Sequence, residues 1–444
     1  MTVAMFVLGI LIFAIGIGFS IAWHELGHFA TARWFGIKVP EFMVGFGKTV
    51  YSVKRGETEY GLKLLPVGGY VRMIGMIPPA KGETLGRSRR TGPFQGLIDD
   101  VRAQSAMDVK PEDAHRQFYL RAPWKRVIVM AAGPVMNLIL AVLLFAVLLM
   151  GIGIQTATTT VREVSQCVIP ASQVAAAEEP PACAPGDPLT PAAAAGFLPG
   201  DRIVAFDGRP YGELEWEATP EDDTPSLQEA IRDASGTVTV TVERDGQLRD
   251  LQPTLITTEL PSFTDPEAYV QGSFLGLTPV PTYVRQDAGT VVVEMGSIIA
   301  RTGQAIAELP SRLPNLVESV VGGERDENGP IGIVGVSRIG GEVLAQDFTL
   351  AQDVSLLLNL LAAVNISLFL FNLLPIPPLD GGQIFPAIWE SIRRRIAAAR
   401  GKPDPGPVDV AKLMPVAYVF ALFFIAWSLL LVVADVVNPI RLFG

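Results

Sequence analysis

Lysine is absent from residues 153 to 351, and the 11 arginines of that stretch face 29 aspartates and glutamates. So acidic a surface offers no cationic track for a phosphate backbone, which excludes nucleic acid as its partner. No phosphate-cradling glycine loop, internal repeat or nucleic-acid signature occurs elsewhere. Histidine and cysteine are also scarce, with three and two in 444 residues. A metal site in this chain therefore has few imidazoles to draw on and must turn to carboxylates. The first apolar run has no basic start and no small-residue cleavage site, so it does not read as a removable signal peptide.

Apolar residues are plentiful. They make up 49% of the chain, and four runs are long enough to cross a bilayer, at about 5–35, 127–154, 354–375 and 413–437. Lysine and arginine crowd the loop between the first two runs, from Lys38 to Arg126, and the loop after the third, with Arg393, Arg394, Arg395, Arg400 and Lys402. Basic short loops stay in the cytoplasm. Both chain ends and the acidic segment are thus expected outside, in a membrane protein of several passes.

The densest chemistry lies at His24-Glu25-Leu26-Gly27-His28, in the second half of the first run. On a helix the two imidazoles stand one turn apart on one face and can grip one zinc ion, with the glutamate beside its water. The pattern alone arises by chance in about one chain in twenty of this length. Its placement in an apolar span is the stronger signal, because ionisable groups inside a bilayer are costly and mark function. Hydrolysis within a membrane is the reading this implies. A catalytic zinc takes three protein ligands and keeps one position open. His115 lies among Glu112, Asp113 and Arg116 and reads as a solvated surface histidine, while both cysteines fall on the far side of the membrane. The third ligand is expected to be a carboxylate. Asp380 is the first candidate, at the end of Asn372-Leu373-Leu374-Pro375-Ile376-Pro377-Pro378-Leu379-Asp380-Gly381-Gly382 on the same predicted side as the histidines. Glu41, Glu57 and Glu59 remain competitors, and a turn or cap carboxylate is the plain alternative for Asp380.

With these residues the chain resembles the site-2 proteases, zinc intramembrane metalloproteases, in their RseP-like bacterial branch with a single PDZ domain. The resemblance rests on HELGH at 24–28, Gly45-Phe46-Gly47, Pro66-Val67-Gly68-Gly69-Tyr70-Val71-Arg72-Met73, Trp124-Lys125-Arg126, Ala132-Gly133-Pro134-Val135-Met136-Asn137 and the elements at 372–382. It implies His24, His28 and Asp380 as ligands of Zn2+ and Glu25 as catalytic base. It further implies Asn372 as a residue that holds unwound substrate backbone, although interhelical hydrogen bonding competes, since Asn359 and Asn365 share the span. Asn137 reads as packing. Gly68, Gly69 and Tyr70 belong to a membrane-associated β-hairpin region that can offer an edge strand to substrate. Expected substrates are single-span membrane proteins such as anti-sigma factors, already shortened by a site-1 protease.

The expected fold is a polytopic α-helical membrane protein with about four transmembrane helices and an inserted extracytoplasmic α+β PDZ domain. Its parts are a first helix at 1–35, the β-loop region at 36–77, a basic cytoplasmic loop at 78–126 that is expected to be mobile over 78–117, and a second helix at 127–154. The PDZ domain follows at 161–258, then a linker at 259–351 with an amphipathic helix at 297–320, a third helix at 352–382, a cytoplasmic loop at 383–412 and a fourth helix at 413–437. The PDZ reading rests on Ala192 to Gly208, with a helix at 226–234, a strand at 237–243 and a turn at Asp245-Gly246. Cys167 and Cys183 sit in a Pro/Ala-rich insertion outside the cytoplasm, where a disulfide between them competes with two separate thiols. Two other functions fit parts of the pattern. A non-catalytic PDZ-bearing receptor with a structural metal would not need Glu25, and a metal transporter would need ionisable groups along a path that the third and fourth runs lack.

Overall fold

The computed structural model describes residues 2–440, apart from 80–94, 108, 170–182, 184–186, 218–224, 263–267, 321–322, 324, 327–328 and 347. It divides into two compact units, residues 1–151 with 287–444, and residues 152–286.

The first unit contains four helices long and apolar enough to span a membrane, at Val3–Trp34, Pro123–Ile152, Leu350–Asn372 and Val410–Val437. Helix α1 (Thr2–Trp34) is apolar on all sides and leaves Ile15, Phe19 and Leu11 exposed, as a lipid-facing helix does. It stops where Gly36 takes a left-handed φ of 70°, with Ile37 N donating back to Ala32 O. Two strands follow, β1 (Glu41–Arg55) and β2 (Thr58–Arg72). They make more than the short hairpin over 49–62 that alternation predicts. Residues 41–44 pair on one side with 59–62 and on the other with 69–72, while 51–55 pair with the outer face of 58–62. Both strands must bend for this, and Gly45, Gly47 and Gly68, at φ of 93°, 87° and 153°, supply the bends.

Part of the loop expected at 78–126 lies outside the described residues. The remainder is ordered, with helix α2 over Gln95–Met107 and two 3-10 turns over Pro111–Arg116 and Phe118–Leu120. Phe118 enters the same apolar cluster as Phe29, Ile37, Val39 and Val129, which pins this segment to the bundle. Arg116 grips both oxygens of Glu57 at 2.6 and 2.8 Å, and Lys38 pairs with Asp113. The Arg116 hydrogen bond holds the Glu57 carboxyl below its ordinary range, as Lys38 does for Asp113. Both ties are therefore intact at neutral pH and weaken as pH falls through those lowered values.

Helix α3 (Pro123–Ala146) packs on α1 and carries the second span. After the second unit, which holds α4 (Pro191–Ala195) and α5 (Leu227–Asp233), comes α6 (Ala288–Val320). Where an amphipathic helix is expected at 297–320, α6 is longer and packs on three of the span helices. Next is α7 (Ile333–Ala345), a helix within the stretch expected as linker. Its Gly340-Gly341 pair lets α7 press against Phe6, Gly9 and Phe13 of α1, so close backbone packing outweighs the poor helix propensity of glycine. Helix α8 (Leu350–Asn372) starts at a capping box of Thr349 and Gln352, and its Asn365 donates to Ser20 Oγ of α1 at 2.9 Å. Then comes α9 (Gly381–Ala399), where a loop over 383–412 was expected. Pro386 argues against a helix in sequence, but the packing of this segment on α3, with Ala387 buried, overrides it. Helix α10 (Met414–Val437) closes the chain, and its buried Asp435 accepts from Arg325 at 2.8 Å and from Gly335 N at 2.8 Å.

The second unit runs from residue 152 to 286, wider on both sides than 161–258. Strands β3 (Ile154–Val164), β4 (Arg202–Phe206), β6 (Val240–Arg244), β7 (Gln247–Leu251) and β10 (Leu277–Val284) form a sheet in the order β10-β3-β4-β6-β7, with β5 (Arg209–Pro210) on β4. Strands β8 (Ile256–Pro261) and β9 (Tyr269–Phe274) make a separate hairpin. Helix α5 begins at a Ser226–Glu229 capping box, and Ile203, Leu227, Val240 and Val242 fill the core. Asp201 is buried and takes both Nε and Nη2 of Arg244, at 2.6 and 2.7 Å. The sulfurs of Cys167 and Cys183 are bonded.

Candidate metal centre

The HELGH stretch lies within α1, so His24 and His28 share one face, and their Nε2 atoms are 3.2 Å apart. Asp380 arrives from the far end of the chain, through the proline turn that follows α8, immediately before α9. Its Oδ2 stands 3.2 Å from His24 Nε2 and 3.3 Å from His28 Nε2. A tetrahedral zinc ion with bonds of ~2.0–2.1 Å sets its ligand atoms ~3.3 Å apart, so this triangle is the right size for one face of such a site. Among the described residues these three form the one His/Cys/Asp/Glu group with converging donor atoms. Apart from the two imidazole nitrogens, Asp380 Oδ2 is buried without a hydrogen-bond partner, as an oxygen facing a shared cation would be. The donor set, two imidazoles and one carboxylate, is one that zinc takes in hydrolases.

Helix α3 shapes the site from behind. Gly133 faces the imidazoles so closely that a Cβ there would lie 2.2 Å from His28 Nε2 and 2.7 Å from His24 Nε2. Val129 O accepts from His28 Nδ1 at 2.8 Å, which fixes the ring and directs Nε2 forward. Trp23 Nε1 donates to Met136 O at 2.8 Å and locks α1 to α3 beside the motif. Glu25 is 8% exposed, and Gly69 of β2 packs on it, since a Cβ at 69 would come within 2.8 Å of Glu25 Cγ. The short edge segment at 69–72 thus runs alongside the glutamate.

Asn137, expected only to pack, reaches the site. It is fully buried, and its Nδ2 lies 3.1 Å from His24 Nδ1, while its Oδ1 has no partner. If Nε2 of His24 binds a cation, Nδ1 carries the proton and needs an acceptor. Turning the amide over presents Oδ1 to that proton and satisfies both atoms. The signal was its position four residues after Gly133, one helical turn, on the face that meets the histidines. Asn137→Leu is expected to weaken zinc binding by about 10–100-fold, read by competition with a chromogenic chelator, because outer partners of metal-bound histidines carry that much affinity. Affinity equal to wild type would leave Asn137 with packing alone.

The remaining candidates lie elsewhere. His115 is exposed and outside the cluster. Glu41 accepts from Tyr70 Oη at 3.0 Å and from Arg72 at 2.6 Å, and Glu57 is held by Arg116. Glu59 is opposite Glu41 and Lys54 in the strand register. Asn372 ends α8, and its Nδ2 donates to Leu368 O of its own helix at 3.0 Å.

A buried HExxH facing a distant aspartate, among helices long enough to cross a membrane, is the build of a membrane metallopeptidase. The chain belongs to peptidase family M50, the site-2 proteases, whose family model matches residues 12–414. It is 35% identical over 450 residues to the zinc metalloprotease Rip1 of Mycobacterium tuberculosis, covering 99% of this chain and 100% of that protein. Its likeness to the zinc metalloprotease Rip1 of Mycolicibacterium smegmatis is 33% over 456 residues, covering 99% and 100%. With the metalloprotease MmpA of Caulobacter vibrioides it shares 29% over 389 residues, 84% of each chain.

Proposed function

We propose that this chain is a zinc-dependent endopeptidase that cuts transmembrane segments of single-span proteins, with His24, His28 and Asp380 as zinc ligands and Glu25 as general base. The observation that carries the reading is the triangle of three donor atoms, 3.2–3.3 Å on a side, closed by residues at opposite ends of the sequence. Bound zinc supplies a Lewis acid for the scissile carbonyl and a lowered pKa for the attacking water. Glu25 takes the proton from that water and delivers it to the departing amine. Its place beside the triangle and under Gly69 keeps bulk water from competing for the carboxylate.

A helical substrate hides its peptide bonds, so it must be drawn out before it is cut. Gly68, Gly69 and Tyr70 form an edge beside Glu25 on which an extended backbone can pair. Asn372, at the last turn of α8, is the second group we assign to substrate backbone. The basic loops support a catalytic face towards the cytoplasm, with both chain ends and the 152–286 unit outside. That unit is read as a PDZ domain from the Gly200-Asp201 and Asp207-Gly208 turns, the sheet and the capped helix α5. Substrates of this kind, anti-sigma factors among them, are shortened by a site-1 protease first, and the outer unit excludes those that keep bulky outer domains.

Purified protein in a bilayer should cleave a single-span substrate and stop when the zinc is chelated. Failure to cut any such substrate with zinc bound would refute the activity. Deletion of 161–258 should let intact, unshortened substrates be cut, and an unchanged preference for shortened ones would refute the filter.

A further inference from the structure

Glu390 is the most deeply buried carboxylate in the described structure, with no exposed surface, and nothing in the chemistry above uses it. It lies on α9, ten residues after Asp380, about 15 Å along the helix axis. Its Oε1 meets Arg126 Nη2 of α3 at 2.5 Å and Arg394 Nη2 at 2.9 Å. Its Oε2 accepts from Val408 N at 2.9 Å. Arg126 is itself only 5% exposed. The strand of chain that covers Glu390 is tied down in turn, since Arg393 donates to Pro405 O at 3.3 Å and Arg102 to Asp409 at 2.6 Å.

A buried ion pair is a poor source of stability, because desolvation offsets most of its attraction. Its better-attested use is to fix one register between two elements. Here α3 backs the imidazoles through Val129, and α9 begins next to Asp380. Arg126 lies one helical turn before Val129, whose carbonyl holds His28. Asp380 immediately precedes α9, and α9 starts rigidly, because Gly381 and Gly382 press on Leu374 O and Pro377 N with no room for a Cβ. A slide or rotation of α9 on α3 would carry Asp380 Oδ2 away from both imidazoles, and apolar contacts alone allow such slides. We propose that Arg126 and Glu390 are positioning residues that lock α9 in register on α3 and thereby hold Asp380 at the distance zinc requires. The idea rests on the proposed zinc site.

The test uses the full-length protein in detergent, with zinc release to a chromogenic chelator, the absorption spectrum of the cobalt-loaded form, thermal unfolding and kcat and KM measured side by side. Glu390→Gln keeps the shape but loses the charge. It should fold, release zinc about tenfold faster and change the cobalt bands. Its kcat should fall while KM stays unchanged. Arg126→Lys should recover most of the retention that Arg126→Met loses, although methionine packs better in an apolar contact. If Glu390→Gln does not fold, the Lys and Met comparison at 126 decides the matter. Variants with wild-type release and cobalt bands and only a lower melting temperature would overturn the proposal, as would Met retaining zinc as well as Lys. A wild-type protein that binds no zinc would instead refute the site itself.

Discussion

Glu25→Gln is expected to keep its zinc and lose cleavage, by about 10²–10⁴-fold in kcat, the share that a positioned acid–base group carries. The amide has the size of the carboxyl, so the packing against Gly69 survives and the fold is untouched. Neither His24 nor His28 depends on Glu25 for its fixed nitrogen, since one is held by Asn137 and the other by Val129 O. Zinc content and catalytic rate therefore separate in this variant. The measurement is metal content beside turnover of a reconstituted single-span substrate. Wild-type turnover in Glu25→Gln would remove the glutamate from the mechanism.

Gly133→Ala should abolish both zinc binding and activity. The added methyl would lie 2.2 Å from His28 Nε2, well inside contact distance, and 2.7 Å from His24 Nε2. The rings have no route of escape, because each is fixed from behind on α3, and α1 is itself bound to that helix through Trp23. Gly18→Ala is the matched control on α1, since nothing lies within 4 Å of its added Cβ, and it should change neither property. A zinc-loaded, active Gly133→Ala protein would place the ion somewhere other than between these imidazoles.

Much of this site could be read in the sequence because helical spacing is a local code. His24 and His28 are four positions apart, and that spacing alone puts them on one face. Asp380 was reachable only as a candidate, by its side of the membrane and its proline-broken surroundings, since spacing says nothing about residues 352 positions apart. The spans were legible because long apolar runs have few alternatives. The fold of β1 and β2 was not, because Gly45, Gly47 and Gly68 interrupt the alternation where the strands bend. Helices α7 and α9 were missed where tertiary packing overrules poor local propensity, at Gly340-Gly341 and at Pro386. Asn137 and the Arg126–Glu390 pair escaped for a common reason. A polar residue in a helix or a charged one in a basic loop has many ordinary roles, and only its partners show which one it plays.

One zinc ion, on the function proposed here, is held jointly by α1 and by the residue that opens α9. Zinc stoichiometry of the purified full-length protein, measured for wild type and Asp380→Ala, tests it most directly. One tightly held zinc per wild-type chain and a loss of that zinc in Asp380→Ala is the predicted result. Equal zinc content and equal affinity in the two proteins would contradict it.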